Sequence, residues 1–117
     1  MKSKDPRSFL PLSPLAFQVL LSVADESRHG YAIIQEIADR TDGLVSMRTG
    51  TMYLLLQRMV ADGLIEETPD RPRADEDDER RRYYVPTQLG RAVAAAEAKR
   101  LEAIVSQARR KQVLGRR

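Results

Sequence analysis

The feature that most constrains the fold is a change in hydrophobic period at Gly63. Before this glycine, apolar residues recur with the spacing of amphipathic helices. After it the period changes, and residues 64–68 and 82–85 are predicted to form the two strands of a hairpin. Helical spacing then returns over residues 88–113, and Thr87 is predicted to cap this last helix. The chain is therefore predicted to be mainly α-helical, with a small β-hairpin before a long last helix.

Start and stop signals divide the residues up to Gly63 into three helices. Ser13 followed by Pro14 provides an N-cap and a proline at the first helical position. His29 is predicted to be a turn or capping residue before the second helix, and Gly43 is predicted to stop that helix. Gly63 itself lies where a glycine ends the third helix. The predicted bounds are about 13–25, 31–40 and 51–62.

Three short helices followed by a two-stranded hairpin form the arrangement of a winged helix-turn-helix. In that arrangement the third helix enters the major groove of DNA and the hairpin is the wing. The fold class is therefore predicted as mainly α with a small β-hairpin, a winged helix-turn-helix plus a long C-terminal helix. Its parts are a flexible N-terminal arm (1–11), a winged helix-turn-helix DNA-binding domain (12–86), and a C-terminal dimerisation helix with a basic tail (87–117).

The net charge of +3 is unevenly distributed along the chain. Residues 61–80 contain three basic and nine acidic side chains, whereas residues 81–117 contain ten basic and two acidic ones. The basic C-terminal third suggests a polyanionic partner, and a solvated helix face is the alternative explanation of the same charges.

The third helix carries the candidate DNA-binding face. One side of it must pack on the first two helices, and its apolar residues at helical spacing satisfy that demand; they are Met52, Leu55, Leu56, Met59 and Val60. The N-terminus of a helix presents unpaired backbone N–H groups that suit a phosphate oxygen, and small residues there allow a close approach. An ordinary helix cap with solvated residues on its outer side is the alternative interpretation of this segment.

Polar side chains on the other faces of this helix are candidates for DNA contact. A tyrosine can bond the DNA backbone, and Gln57 and Arg58 are the candidates for contact with base edges. The predicted DNA-binding residues, including arginines at the wing, are Arg48, Thr49, Gly50, Thr51, Tyr53, Gln57, Arg58, Arg80, Arg81 and Arg82.

Four short motifs occur in order along the chain: HGY (29–31), GTMY (50–53), GLI (63–65) and YVPTQLG (84–90). Together they resemble the successive signatures of PadR-type transcriptional regulators, over about residues 12–93. The resemblance implies a homodimeric DNA-binding repressor whose dimer contact uses the C-terminal helix. It also implies that Thr51 and Tyr53 lie near the DNA backbone. Chains of this length resemble the compact branch of the family, which has a single dimerisation helix.

Two features depart from the family pattern. Pro86 lacks an N–H group, so it is predicted at the end of its strand. Acidic residues occupy positions 75–79 at the predicted wing tip, where DNA phosphates would repel them. The tip is therefore predicted to point away from DNA or to be disordered, with wing contacts coming from Arg80, Arg81 and Arg82 or from Arg71 and Arg73.

The last helix is longer than one small domain needs to cover its own core. Its apolar stripe extends over ~30 Å at 1.5 Å per residue, so part of it is predicted to pack on a second copy of the chain. A helix folded back on its own domain is the alternative. The predicted dimer interface consists of Phe9, Leu12, Leu15, Val93, Ala96, Leu101, Ile104, Val105 and Ala108.

Catalytic and metal-binding patterns are absent from the sequence. Without cysteine there are no disulfides or thiolate metal sites, and one histidine cannot form a metal site without partner ligands. No cofactor, metal or enzymatic activity is predicted. Phe9, Phe17 and Met47 could line an effector pocket, although core packing explains them equally well, so a small-molecule effector stays open. No signal peptide or membrane span is apparent, which predicts a cytoplasmic protein without membrane association.

The sequence thus predicts a PadR-like transcriptional regulator, expected to be a repressor, that binds a pseudo-palindromic operator in double-stranded DNA as a homodimer. A winged-helix module for protein–protein interaction, without DNA binding, is the alternative. Retention on duplex DNA that salt reverses would favour the regulator, since phosphate contacts are sensitive to salt.

Overall fold

A computed structural model describes residues 4–71 and 81–115 of the chain. In chain order its elements are a 3-10 helix (Pro6–Phe9), α1 (Pro14–Val23), β1 (Arg28–His29), α2 (Gly30–Arg40), α3 (Thr49–Ala61), β2 (Ile65–Thr68), β3 (Tyr83–Pro86) and α4 (Gln88–Arg110). The predicted fold class is confirmed: the helices and the hairpin follow one another as in a winged helix-turn-helix, and the long C-terminal helix is present.

Side-chain caps begin three of the helices, as the sequence indicated. Ser13, His29 and Thr87 each accept a hydrogen bond from the backbone N–H three residues later, at 3.1, 3.2 and 2.9 Å. Each bond satisfies one of the N–H groups that a helix start leaves without an intrahelical partner. The predicted capping role of His29 is therefore confirmed, and its Nδ1 atom is the acceptor.

Two helices end close to the glycines that were predicted to stop them, and one of these ends is shifted by a residue. Gly63 has a φ of +79°, and the N–H of Leu64 donates to the carbonyl of Met59 at 2.9 Å, which is the Schellman arrangement. At the end of α2 the first left-handed residue is Asp42, with a φ of 54°, and Gly43 follows it. Aspartate tolerates this conformation better than most residues, so the turn begins one residue before the predicted stop.

The predicted hairpin is present, and a third strand that the sequence did not reveal extends it. β3 lies in the centre of the antiparallel sheet, with β2 on one side and β1 on the other. Pro86 is the last residue of β3, opposite Ile65, at the strand end where it was predicted. β1 is only two residues long and pairs Arg28 with Tyr84, so no alternating pattern could announce it.

The hydrophobic core lies between the first three helices, the base of the hairpin and the first half of α4. Phe9, Phe17 and Met47, which were candidates for an effector pocket, pack against this core. Its buried members are Leu12, Ala16, Val19, Leu20, Val23, Ile33, Ile37, Met52, Leu56, Met59, Leu64, Ile65, Tyr84 and Val93.

A polar network fixes α2 against α1. The Nη2 group of Arg40 donates to the hydroxyl of the fully buried Ser22 at 2.9 Å and to Oε1 of Glu36 at 2.7 Å. The hydrogen bond from Arg40 holds the pKa of Glu36 below its ordinary value. Charge-assisted bonds of this kind are directional, so they set the angle between the two helices more sharply than apolar contacts do.

The described part of the N-terminal arm is folded against the domain. Asp5 is the N-cap of its 3-10 helix, and the side chain of Asp5 accepts from the N–H of Arg7 at 2.9 Å. The helix packs against α4, and the ammonium group of Lys4 lies 5.7 Å from the ring centroid of Phe9. The described part of the arm therefore contains a short helix on α4, and the flexibility of the arm stays a prediction.

A buried carboxylate joins this segment to α4. Glu97 is 3% exposed, and its Oε1 accepts from the N–H of Leu12 at 3.3 Å. Arg100 donates to both carboxylate oxygens, at 2.8 and 2.7 Å. The hydrogen bond from Arg100 is the main cause that lowers the pKa of Glu97, against burial, which raises it.

The start of α4 lies directly on the chain that leads from α3 into β2. The backbone N–H of Thr87 donates to the carbonyl of Leu64 at 3.1 Å, and the hydroxyl of Thr87 donates to the carbonyl of Gly63. A β-carbon at Gly90 would overlap the carbonyl oxygen of Leu64 and lie 2.9 Å from its carbonyl carbon. Only glycine leaves room for this contact between two backbones.

We expect Gly90→Ala to lower the free energy of unfolding by more than about 2 kcal/mol. The new methyl group would overlap the backbone of Leu64, and relieving that overlap requires α4 or the chain at Leu64 to shift. Gly50→Ala is the matched control. Outside its own stretch of helix, no described atom lies within 4 Å of its β-carbon position, so stability should stay equal or rise by up to about 1 kcal/mol. Urea denaturation followed by circular dichroism measures both. Equal stability of the two variants would contradict the contact at Leu64.

Acid should weaken the tie between Glu97 and Leu12. Because the folded-state pKa of Glu97 lies below its ordinary value of 4.5, its stabilising effect is complete above that pH and disappears as the pH falls through the folded-state pKa. Glu97→Gln should therefore cost about 1 kcal/mol or more at pH 7, and the difference from the unchanged protein should shrink toward pH 3. Urea midpoints across this range provide the measurement. Glu102→Gln, at an exposed glutamate of the same helix, is the control. If Glu97→Gln differed in stability from the unchanged protein by the same amount at all pH values, the stabilising role of the Glu97 carboxylate would be refuted.

Candidate nucleic-acid interface

The start of α3 is exposed and has no side-chain cap. Arg48 occupies the N-cap position with an extended backbone, and none of the side chains that the structure describes caps the first-turn N–H groups. The first intrahelical bond runs from the N–H of Met52 to the carbonyl of Arg48, at 3.0 Å. The helix therefore begins at Thr49, two residues earlier than predicted, and the small residues form its first turn. Free N–H groups at such an end suit an anionic oxygen.

The first turn of α3 also leaves room for a ligand to reach its backbone. Thr49, Gly50 and Thr51 are all exposed. Apart from its own stretch of helix, no atom of the described residues lies within 4 Å of the position that a β-carbon at Gly50 would take. Within residues 4–71 and 81–115, the predicted cluster at 48–51 is thus open to solvent.

The two sides of α3 differ sharply in burial. Met52, Leu56 and Met59 are at most 2% exposed, and Leu55 packs against the core beside them. Val60 was predicted on this buried side and is 39% exposed, because it lies on the flank of the helix. The predicted contact residues face outward; those exposed are Tyr53, Gln57 and Arg58.

Sequence reasoning missed one residue of the outward face, Leu54. Its side chain is 70% exposed, far more than the other leucines of α3. The signal that could have found it was its spacing: Leu54 is two positions from Met52 and two from Leu56, and two residues of helix turn by roughly 200°.

The start of α2 lies beside the outer flank of α3. A β-carbon at Gly30 would lie 3.3 Å from Cε1 of Tyr53 and 3.4 Å from Cδ1 of Leu56. The absence of a side chain at Gly30 therefore lets the first turn of α2 approach α3 closely. Tyr53, which is 47% exposed, packs one edge on this turn and leaves the rest of its ring accessible.

The base of the wing meets α2 at His29. Nη1 of Arg81 lies 3.0 Å from Nε2 of His29, and the His29 ring contacts Tyr83 edge-on with centroids 5.2 Å apart. The guanidinium of Arg71 lies 5.2 Å from the centroid of Tyr83 and donates to the carbonyl of Arg81 at 2.7 Å. The structure therefore brings the predicted contact residue Arg81 to the start of α2.

The other predicted wing residues are placed differently. Arg82 reaches across to Glu67 on β2 with an N–O distance of 3.5 Å, and both side chains are more than half exposed. Such exposed pairs contribute little to stability, so Arg82 remains accessible to a stronger anion. Arg80, Arg73 and the acidic run at 75–79 lie outside the described residues, so their predicted roles stay predictions.

The predicted dimer residues fall into three groups by exposure. Leu12 and Val93 are buried in the chain's own core, at 8% and 0% exposure, so their side chains have little surface to offer a second copy. α4 leaves the domain after Arg100, and every residue from 101 to 107 is exposed. Phe9, Leu15, Ala96 and Ala108 are half-buried, whereas Leu101, Ile104 and Val105 are 36%, 46% and 43% exposed.

Neither a metal-binding cluster nor a membrane-spanning helix occurs among the described residues. No group of three or more histidine, aspartate or glutamate side chains within 4–71 and 81–115 could hold a metal ion. In the same part of the chain, no helix has both the length and the apolar character that crossing a bilayer requires.

The geometry defines a winged helix-turn-helix protein whose third helix has an open N-terminus and a free outer face. The family model described as "Transcriptional regulator PadR-like family" matches residues 19–96. The chain belongs to this family, and the resemblance that the sequence motifs suggested is confirmed.

Individual proteins and solved structures are also similar to this chain. An uncharacterized protein of Lysinibacillus sphaericus is 32% identical over 74 residues, which cover 63% of this chain and 65% of that protein. A PadR family transcription regulator of Clostridium difficile R20291 is similar in structure, with a TM-score of 0.68 and 24% identity over 88% of this chain and 100% of that one. PadR of Bacillus subtilis, solved in complex with operator DNA, has a TM-score of 0.60 and 15% identity over 72% of this chain and 46% of that one.

Proposed function

We propose that this protein is a homodimeric repressor that binds a pseudo-palindromic operator in double-stranded DNA through α3. The observation that carries the proposal is the state of that helix: its first turn is uncovered, and its outer face is free. α3 also contains no aspartate or glutamate, although the chain has 17 acidic residues. An anionic partner therefore meets no like charge on this helix.

The exposed polar residues at the start and on the outer face of α3 receive roles in this proposal. Arg48, Thr49 and Thr51 hold a phosphate at the helix start, where the first-turn N–H groups and the helix dipole add to the attraction. Tyr53 contacts the DNA backbone on the flank that faces α2. Gln57 and Arg58, one turn further along, contact base edges in the major groove. Arg81, at the start of α2, supplies the contact from the wing.

The exposed half of α4 supports the homodimer. At 1.5 Å per residue this 23-residue helix is about 35 Å long, and only its first half packs on its own domain. The stripe formed by Leu101, Ile104, Val105 and Ala108 is apolar and continues along one side. If a second copy covered this stripe, the dimer would present two α3 helices, one for each half-site of a two-fold symmetric operator.

Repression follows from occupancy in this proposal. A dimer that covers a promoter site excludes RNA polymerase, and no other activity of the chain is needed. Transcription in vitro from a promoter that contains the selected site tests the direction of the effect: a rise in transcript on adding the protein would contradict repression.

We expect Arg48→Ala and Arg58→Ala to weaken DNA binding in different ways. Sequences selected from a random duplex pool supply the site. Loss of a phosphate contact at Arg48 should weaken binding to all sequences alike and reduce the slope of log K against log salt by about 1. Loss of Arg58 should cost about 1–3 kcal/mol on the selected site and relax its specificity. Fluorescence anisotropy at several salt concentrations provides both values.

The exposed Lys99 on α4 provides a matched control for these charge changes. Lys99→Ala removes one positive charge far along the chain from α3 and should leave affinity and salt slope nearly unchanged. Unaltered binding by both arginine variants would contradict the assignment of this face of α3 to DNA. Failure of the unchanged protein to bind any duplex at low salt would contradict the proposed function.

A charge in the apolar stripe should dissociate the dimer. Ile104→Glu would bury a carboxylate in the proposed contact between copies, so we expect monomers in sedimentation equilibrium at micromolar concentration. Ser106→Glu adds the same charge on the opposite side of α4 and should leave the dimer intact. If the unchanged protein sediments as a monomer, or if both variants remain dimeric, this stripe is not the dimer contact.

A further inference from the structure

The most exposed large apolar side chain within a helix of the described chain belongs to Leu54. It is 70% exposed, and it projects from the side of α3 that is opposite the buried Met52 and Leu56. A single exposed leucine is common on protein surfaces and by itself indicates nothing. Leu54 differs because of its position, which is the centre of the face that the proposed function directs at DNA.

The neighbours of Leu54 restrict what can cover it. Residues three and four positions away on a helix flank each other on its surface. For Leu54 these are Gly50, Thr51, Gln57 and Arg58, and all four are exposed. Gly50 has no side chain, and the other three supply a hydroxyl, an amide and a guanidinium group. α3 contains no carboxylate. The partner of this face must therefore be largely polar and anionic, with a small apolar site where Leu54 meets it.

The major groove of DNA meets this description. Its edges present hydrogen-bond donors and acceptors framed by phosphates, and its apolar group is the C5-methyl of thymine. Leucine cannot bond to the amino group of cytosine or to the oxygen and nitrogen of guanine. A G·C pair beneath Leu54 would thus lose water from polar atoms without a replacement partner. An A·T pair offers a methyl group that leucine can cover.

We propose that Leu54 determines sequence specificity by packing on the C5-methyl group of one thymine in each half-site. The inference rests on the proposed DNA binding through α3 and adds a base preference to it. Gln57 and Arg58 then provide hydrogen bonds next to this contact, and Gly50 lets the helix approach closely enough for the leucine to reach the base.

Replacement of thymine by uracil tests the inference, because uracil lacks only the methyl group. Each thymine of the selected site is replaced in turn, and binding is measured by fluorescence anisotropy at constant salt. At one position per half-site we expect the unchanged protein to bind about fourfold more weakly for each methyl removed, the effect of exposing about one methylene-sized group. Leu54→Ala should bind the thymine and uracil sites at that position equally.

Val60→Ala is the control. Val60 is also a partly exposed aliphatic residue of α3, but it lies on the flank of the helix and not at the centre of the outer face. This variant should keep the full sensitivity to uracil. Circular dichroism spectra that match the unchanged protein show that each variant is folded. Sedimentation of Leu54→Ala without DNA should also be unchanged, since a shift in mass would mean that a second copy, rather than thymine, covers this leucine.

The results separate the two proposals. The unchanged protein could bind DNA in a salt-sensitive way while Leu54→Ala abolishes the effect of uracil at no thymine. That result would overturn the role of Leu54 and leave the regulator proposal standing. Selected sites with no A·T pair common to both half-sites would do the same. Absence of binding to any duplex by the unchanged protein at low salt would overturn both.

Discussion

The close contact between the backbones at Leu64 and Gly90 is the constraint on which the other parts of the structure depend. Leu64 ends the Schellman turn of α3 through its N–H, begins the path into the wing, and accepts the N–H of Thr87 through its carbonyl. A single residue, through its N–H and its carbonyl, therefore connects the third helix, the hairpin and the last helix. Because Gly90 has no side chain, α4 can cross this point at backbone distance and place Val93 in the core.

The same arrangement explains why the proposed DNA-binding face of α3 remains free. The core is supplied from one side, by Met52, Leu56 and Met59, and the wing and α4 are attached at the C-terminal end of the helix. The N-terminal end therefore needs no cover for stability. His29 and Arg81 join the wing base to the start of α2, next to Tyr53, so the exposed groups stand on packed helices and strands instead of mobile loops. Rigid support of this kind reduces the ordering that binding would otherwise require.

The sequence predicted those features that local chemistry controls. Caps at Ser13, His29 and Thr87 and the turn at Gly63 were visible because each involves residues within four or five positions of one another. Features that join distant residues were missed. The strand at 28–29 exists only through its pairing with β3, and the buried Glu97 is stabilised by the N–H of Leu12, 85 positions away. A glutamate in a basic, alanine-rich helix gives no sign that it is buried.

By itself, the sequence determined the order of the helices and the hairpin, the approximate starts and ends of the helices, and the family, because hydrophobic period, caps and short motifs are all local properties of the chain. The tertiary structure decided how deeply each residue of an apolar stripe is buried. Val60 and Val93 both fit the apolar stripe of their helix, yet one is 39% exposed and the other fully buried. The difference arises from what lies opposite each residue in space, and that depends on how α3 and α4 pack around the carbonyl of Leu64.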